Sequence, residues 1–298
     1  MVNRHEDILI LYDAYVFSIS DFEKRGLIAR RTYKSAFFLS RVTRRIFKVL
    51  NVSQKYWYGD WKKNLPSIKT IIIFAPCDLE VMKFIKKVNK EVRVIYWYWN
   101  PTLRVGIPDR KISNLAELWS FDPEDCRKFN LNFNTTFYFK NIVIIKSKIE
   151  FDVIFLGFNK GRKKYLEELE KLLIQHGIHA HFQIIPDREE DKKNYLKTIP
   201  YYEYLKLVSK TKALIDINSI GQSGLTLRAM ESIFFKKKLI CNDKSIIYQD
   251  FYKQENIFIL GTDNEEKLKD FINSSYAPLD EMVIEKYDIK NWLARFNN

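Results

Sequence analysis

Residues 219–232 read SIGQSGLTLRAMES and stand between two apolar runs, KALIDIN before and KKKLICND after. A strand that ends in Gly-Gln-Ser-Gly and passes at once into a helix makes a corner suited to a phosphorylated ligand. Gly221 and Gly224 permit a tight turn and close backbone approach. With the helix starting near Gly224 or Leu225, the N–H groups of Leu225, Thr226 and Leu227 point off its end, where unpaired donors and the helix dipole favour an anion. Glu231 follows about two turns in, where a carboxylate can accept two hydrogen bonds from a ribose diol.

The surrounding pattern is that of parallel sheets with crossover helices. In the first half, apolar runs predict strands at 8–12, 70–75, 92–99, 116–120 and 141–145, with helices at 25–50 and 78–90. The segment 100–112 holds two prolines and a glycine and reads as a surface loop. In the second half, strands are predicted at 151–156, 178–185, 213–217, 238–241 and 257–260, and helices at 162–175, 201–210, 225–235, 265–273 and 281–296. The polar stretch KSKIE, 146–150, divides the two halves. The expected fold is α/β, two Rossmann-like domains facing a cleft. Residues 1–148 form the first, 149–280 the second, and 281–298 a closing C-terminal helix.

The chain has 298 residues, enough to bury one large or two medium cores. At 46% apolar and 29% charged it is globular. No apolar run approaches the roughly 18 residues of a membrane span. MVNRHEDILILYD carries acids ahead of a very short apolar run and has no small-residue cleavage site, so no signal peptide is expected. Cys77, Cys126 and Cys241 stand far apart without CxxC pairing, which suits a reducing cytoplasm. His176, His179 and His181 cluster in QHGIHAHF but read as a helix end and one strand face, without the further ligands a metal needs.

The net charge is +13, and nine Lys/Arg with no acid fall between Lys24 and Lys48. Apolar residues recur among them at helical spacing. A basic amphipathic helix lies well on an anionic membrane surface or an acidic substrate, and a packed helix with a solvated basic face is the plainer reading. No helix-turn-helix, RNP-like or zinc-finger signature is present, so no nucleic-acid partner is expected.

The strand, Gly-rich turn, helix with Glu and following short strand resemble the donor half of GT-B glycosyltransferases. Those of the family-4 type read Glu-Gly-Phe-Gly-Leu-x-x-x-Glu at this place. Aligned on Glu231, this chain has Ser223, Gly224, Leu225, Thr226, Leu227, Arg228, Ala229, Met230 and Glu231. The first Gly, the later Leu and the second Glu match; Ser223 replaces the Glu that faces the donor sugar, and Thr226 replaces the second Gly. FDVIFLGFNKGR resembles the family's strand and basic turn, which implies that Lys160 and Arg162 meet the donor diphosphate. IPYYEYLKLVSKTKALIDIN resembles the stretch that meets the base, which implies a place for Tyr201 or Tyr202. YDIKNWLARF resembles the helix that crosses back to the first domain.

The resemblance covers about residues 150–298. The first half looks like short bacterial proteins of lipopolysaccharide and capsule assembly. Together they imply transfer of a sugar from a nucleotide-sugar donor to a glycan or glycolipid acceptor, without metal or other cofactor, at the inner face of the cell membrane. The aromatics Trp57, Tyr58, Trp61, Tyr96, Trp97 and Trp99 suit either an acceptor surface or a core. Asp13, just past the first strand, is the first choice for a catalytic base, and Asp21 the second. A nucleotide- or polysaccharide-binding protein without transfer activity is the alternative, motivated by Ser223.

Overall fold

The long apolar runs of both halves form strands that pair only in parallel, and this decides the architecture. A parallel strand is covered on both faces, so it reads as a continuous apolar run rather than an alternating one. In the computed structural model, which describes residues 5–13, 19–34, 43, 46–47, 52–187, 199–219 and 221–297, the chain divides into two units. These are Met1–Asn134 and Thr135–Asn298.

The first unit contains β1 (His5–Tyr12), α1 (Ile19–Lys24), β2 (Leu27–Arg31), β3 (Thr70–Phe74), α2 (Leu79–Val88) and β4 (Arg93–Tyr98). Short helical turns α3 (Thr102–Val105) and α4 (Arg110–Ser113) follow, then β5 (Glu117–Ser120), α5 (Pro123–Phe129) and β6 (Asn132–Phe133). The sheet order is β2-β1-β3-β4-β5-β6. Leu9 pairs with Ile71 and Ile73 with Tyr96, and these side chains join Leu11, Met82 and Ile85 in one buried cluster.

The helix expected over 25–50 is corrected at its start, because residues 27–31 are the edge strand β2, parallel to β1. Gly26, at φ 75°, turns the chain out of α1, and Leu27 and Ala29 are buried where a helix would have spread them around its axis. Pairing with β1 outweighs the local helical spacing, as it commonly does for strand-edge segments. Most of the remaining basic segment, 35–42, 44–45 and 48–51, lies outside the described residues. The aromatics offered to an acceptor belong largely to the core: Tyr58, Trp61, Tyr96 and Trp97 are buried, and Trp61 Nε1 donates to the Thr32 carbonyl at 2.9 Å.

The second unit runs β7 (Phe151–Phe158), α6 (Lys163–Gln175), β8 (Ala180–Ile185), α7 (Tyr201–Ser209), β9 (Thr211–Asp216), α8 (Leu227–Phe235), β10 (Lys238–Cys241) and β11 (Ile257–Ile259). It closes with α9 (Leu268–Asn273), α10 (Glu281–Lys286) and α11 (Ile289–Ala294). The sheet order is β11-β10-β9-β7-β8. Leu166, Leu169 and Leu173, spaced on one face of α6, pack with Val153, Phe155, Ala213 and Ile215.

Two further expectations change. Residues 141–145 are not a strand: Val143 and Ile145 are 78% and 84% exposed, and no ladder pairs them among the described residues. The single helix over 281–296 is two, broken at Tyr287 and Asp288, where Asp288 caps α11 by accepting from Lys290 N. That break has a partner. Tyr138 N donates to the Tyr287 carbonyl at 2.8 Å, Ile289 N to the Tyr138 carbonyl at 2.9 Å, and Lys140 N to Asp288 Oδ2 at 2.8 Å. Trp292 of α11 stacks near Phe137 at 4.4 Å. These bonds tie 135–142 to the end of the chain, so the division falls after Asn134, before the polar stretch at 146–150.

Candidate functional site

In the second sheet the strand order reverses between β7 and β9, and such a switch point opens a crevice outside the carboxyl ends of the strands. Two loops meet there. After β7 the chain turns tightly: Lys160 and Gly161 take φ of 49° and 80°. Asn159 holds the turn, its side chain accepting from Lys163 N at 2.7 Å while its carbonyl accepts from Arg162 N at 3.0 Å. Lys160 N donates to Asp187 Oδ1 at 2.9 Å. Arg162 is half-buried, its guanidinium 5.2 Å from the Phe155 ring centroid and 3.3 Å from the Phe158 carbonyl. The basic turn expected from sequence therefore stands at the switch point.

After β9 the loop 217–226 leads to α8. Gly221 takes φ 76°, as its role in the turn requires, and Ser219 and Gln222 close it through Ser219 Oγ to Gln222 Oε1 at 3.0 Å. Ser223 is half-buried, while Gly224 and Leu225 are buried. The Leu225 carbonyl accepts from the Thr136 hydroxyl at 2.5 Å.

The start of α8 departs from the sequence reading. The helix begins at Leu227, and Thr226 is its cap. Thr226 Oγ1 accepts from Arg228 N at 3.1 Å and Ala229 N at 3.2 Å, and donates to Asp216 Oδ2 at 2.5 Å. Where the family pattern has Gly, a β-hydroxyl thus takes up donors of the helix's first turn, the ordinary work of a threonine cap.

Glu231 lies on the buried face of α8 and is 1% exposed. Tyr201 OH donates to its Oε1 and Tyr204 OH to its Oε2, each at 2.7 Å, and Tyr201 OH also pairs with Tyr138 OH. Two phenols therefore occupy the acceptor positions that the sequence assigns to a ribose diol, and Tyr201 is turned to this network. Burial pushes the Glu231 carboxyl up to about 7, against the pull of the Arg228 charge and the two phenols.

Two residues of this corner escaped the sequence reading. Arg228 bonds the Leu156 carbonyl at the carboxyl end of β7, and its guanidinium lies 5.0 Å from the Phe155 ring and 5.9 Å from the Tyr204 ring. Asp216 ends β9, is buried, and is pushed up by burial while Arg228, Thr226 and Arg162 pull it down. An acid closing the apolar run ALIDIN was the available signal for Asp216. For Arg228 there was none, since the motif leaves its position unspecified.

The first unit has its own switch point, between β1 and β3. Asp13 follows β1 and is exposed. Tyr33 OH donates to Asp78 Oδ2 at 2.6 Å beside it, and Cys77 N donates to Tyr96 OH at 3.1 Å. Asp21, the second choice for a base, is 1% exposed and paired with Lys24 at 2.9 Å, so it belongs to the packing of α1.

Among the described residues, no group of three or more His, Cys, Asp or Glu could hold a metal ion. His181 stacks on Phe151 at 4.7 Å and His179 lies 5.4 Å from the same ring, at the amino end of β7 and away from the crevice. No described helix is long and apolar enough to cross a membrane.

No family model and no curated protein matches this sequence. Solved structures match along nearly its whole length. The lipopolysaccharide outer core galactosyltransferase WaaB, in its apo form, is 13% identical with a TM-score of 0.51, over 98% of each chain. The T4 phage enzyme BGT, solved with its UDP-glucose substrate, is 13% identical with a TM-score of 0.53, over 97% of this chain and 98% of that one. An α-glucosyltransferase solved with UDP and a mismatched 13-mer DNA is 14% identical with a TM-score of 0.51, over 97% of this chain and 92% of that one. The fold is GT-B, two Rossmann-like α/β units with parallel sheets of six and five strands among the described residues. The expectation of no nucleic-acid partner gains no support from this set, one member of which holds DNA.

Proposed function

We propose that the protein is a glycosyltransferase that moves a sugar from a nucleotide-sugar to a hydroxyl of a cell-envelope glycan or glycolipid. The observation that carries this reading is the basic turn Lys160–Arg162 at the β7/β9 switch point of a GT-B fold. Two neighbours of that fold are solved with UDP or UDP-glucose, and a third is named for the lipopolysaccharide outer core. The second unit is the donor domain in this reading and the first the acceptor domain.

The hard part of sugar transfer is the charge that develops on the departing diphosphate. Fixed cations in a half-buried crevice meet that charge without reorganising. Lys160 and Arg162 are the groups for it, so the reaction needs no metal. Asp13, exposed just past the first strand, accepts the proton of the attacking hydroxyl. Gly224, Leu225 and Ser223 shape the loop beside the sugar. Glu231 and Tyr201 hold α7 and α8 together behind the nucleotide, with any ribose contact left to the further acceptor sites a carboxylate carries. The basic segment 24–48 leans on anionic lipid at the inner membrane face.

The test is a thermal-shift screen of the whole chain against UDP, GDP, CDP, ADP and CMP, followed by donor hydrolysis in the presence and absence of EDTA. A ligand that binds the native state raises its apparent stability by mass action. The expected result is a shift with one nucleoside diphosphate and slow hydrolysis of its sugar that EDTA leaves unchanged. No shift with any nucleotide overturns the reading. Binding without hydrolysis favours a bare binding protein, the outcome that Ser223 in the place of the family's sugar-facing Glu would explain.

A further inference from the structure

The loop that carries Gly224 and Leu225 is pinned at two carbonyls before α8 begins. Gln222 Nε2 donates to the Gly224 carbonyl at 3.3 Å, and the Thr136 hydroxyl donates to the Leu225 carbonyl at 2.5 Å. A peptide unit is planar, so a partner that holds its carbonyl also sets the direction of its N–H. Thr136 therefore fixes the Leu225–Thr226 peptide, and with it the residue whose hydroxyl caps α8. The Gln222 bond is local to the loop. Thr136 stands 89 residues back in the chain and holds the loop against a separate piece of backbone.

That piece is itself anchored. Two residues on, Tyr138 is 0% exposed, and its ring lies 5.1 and 5.5 Å from those of Phe234 and Phe235 on α8. Its backbone bonds to Tyr287 and Ile289 fasten it at the break before α11. Its hydroxyl meets that of Tyr201, the first residue of α7. Tyr201 gives its one proton to Glu231 Oε1, so Tyr138 is the donor in that pair. Packing alone asks for neither hydroxyl, since valine and phenylalanine fill the same space. Both hydroxyls are spent on the corner where the β7/β9 crevice opens.

We infer that Thr136 and Tyr138, among the opening residues of the second unit, are positioning residues of the donor site: Thr136 fixes the loop that shapes the sugar's place, and Tyr138 fixes Tyr201 and α7 behind the nucleotide. This rests on the donor-site reading of the second unit. It adds to that site a segment that lies outside both of the loops meeting at the switch point.

Thr136→Val, Thr136→Ser and Tyr138→Phe test it in the full chain. Lys140→Gln is the control, a change in the same segment whose ammonium pairs with Glu285 at the surface. One readout is hydrogen exchange of the Arg228 and Ala229 amides, which Thr226 caps. The other is calorimetric titration with UDP and with UDP-glucose, or with GDP and GDP-glucose or ADP and ADP-glucose where the parent prefers them. Thr136→Val is expected to speed exchange of both amides by about threefold to tenfold, the range of one hydrogen bond. It weakens the nucleotide-sugar by a similar factor and leaves the nucleotide within about twofold. Thr136→Ser restores the parent's values. Tyr138→Phe weakens nucleotide and nucleotide-sugar alike, again by about threefold to tenfold, and leaves the two amides as they were. Lys140→Gln matches the parent throughout.

If Tyr138→Phe does not fold, the two Thr136 variants decide. A ratio of nucleotide-sugar to nucleotide affinity that Thr136→Val leaves unmoved overturns the inference, whether both affinities fall or neither does, and leaves the donor-site reading standing. Parent-like nucleotide binding in Tyr138→Phe removes Tyr138 from the site. Faster exchange that serine restores, in a parent that takes none of these nucleotides, sustains the pinned loop and removes the donor-site reading.

Discussion

The two sheets are wound alike and charged oppositely at the place where winding makes a crevice. Read from its first strand, each places the second strand on one side and the third, fourth and fifth on the other: β2-β1-β3-β4-β5 in one unit and β8-β7-β9-β10-β11 in the other. In the first unit the switch point carries Asp13 and Asp78 among tyrosines, and the Cys77 thiol there is pushed up by burial and by both acids. In the second it carries Lys160, Arg162 and Arg228, answered by a buried Asp216. Topology makes the crevice, and a few side chains at strand ends decide what enters it. An acidic one suits a group that must take a proton, a basic one a group that must hold phosphate.

The sharpest way to break this contrast is Asp13→Asn. If Asp13 is the base, transfer falls by about a hundredfold to ten-thousandfold. Nucleotide affinity stays as it was, and so does stability, because the side chain is exposed. Steady-state kinetics with a shift assay alongside checks it, and an unchanged rate removes the first unit's acid from the chemistry.

Next in size is Glu231. Taking it away removes the carboxylate that accepts from the Tyr201 and Tyr204 hydroxyls and one of the two acids that act on Arg228, which costs about 3–5 kcal/mol for Glu231→Ala. The same carboxyl makes stability depend on pH in an unusual direction. Its folded form titrates at about 7 against an ordinary 4.5, so the fold binds the proton more tightly than the unfolded chain. This contribution is greatest below about 4.5 and is lost as pH rises through about 7, a swing on the order of 3 kcal/mol. Urea unfolding at pH 5 and pH 8 should show the drop, and Glu231→Gln should flatten it. A variant with the parent's pH dependence would show that another group is responsible.

Much of this contrast was legible in sequence on one side only. The runs behind β3, β4, β7 and β9 announce themselves because a strand covered on both faces must be apolar throughout. The basic turn after β7 was readable for the same reason, as charge placed abruptly at the end of such a run. What stayed hidden depends on which strands become neighbours. Arg228 gains its meaning from the Leu156 carbonyl, and Asp216 from Thr226 and Arg228, contacts that local spacing does not reveal. β2 was masked by a helical spacing of apolar residues that pairing with β1 overrode. Residues 141–145 have the composition of a strand and no strand to pair with among the described residues, because the chain there is tied through Tyr138 and Lys140 to the break before α11.

The smallest effect separates the two helices that leave these switch points. α2 follows β3 with Asp78 at its cap position, yet no side-chain cap bond forms there, and the Asp78 carboxylate takes the Tyr33 hydroxyl instead. α8 follows β9 with Thr226, which caps its helix and bonds Asp216 as well. Thr226→Ala should therefore cost about 1–2 kcal/mol, the loss of a cap together with a donor to a buried acid. Thr226→Ser keeps the hydroxyl and should stay within about 0.5 kcal/mol of the parent. Denaturant midpoints at constant slope measure both. If alanine matched serine, the hydroxyl would not be what closes the start of α8, and the helix N–H groups would return as the natural seat for a phosphate.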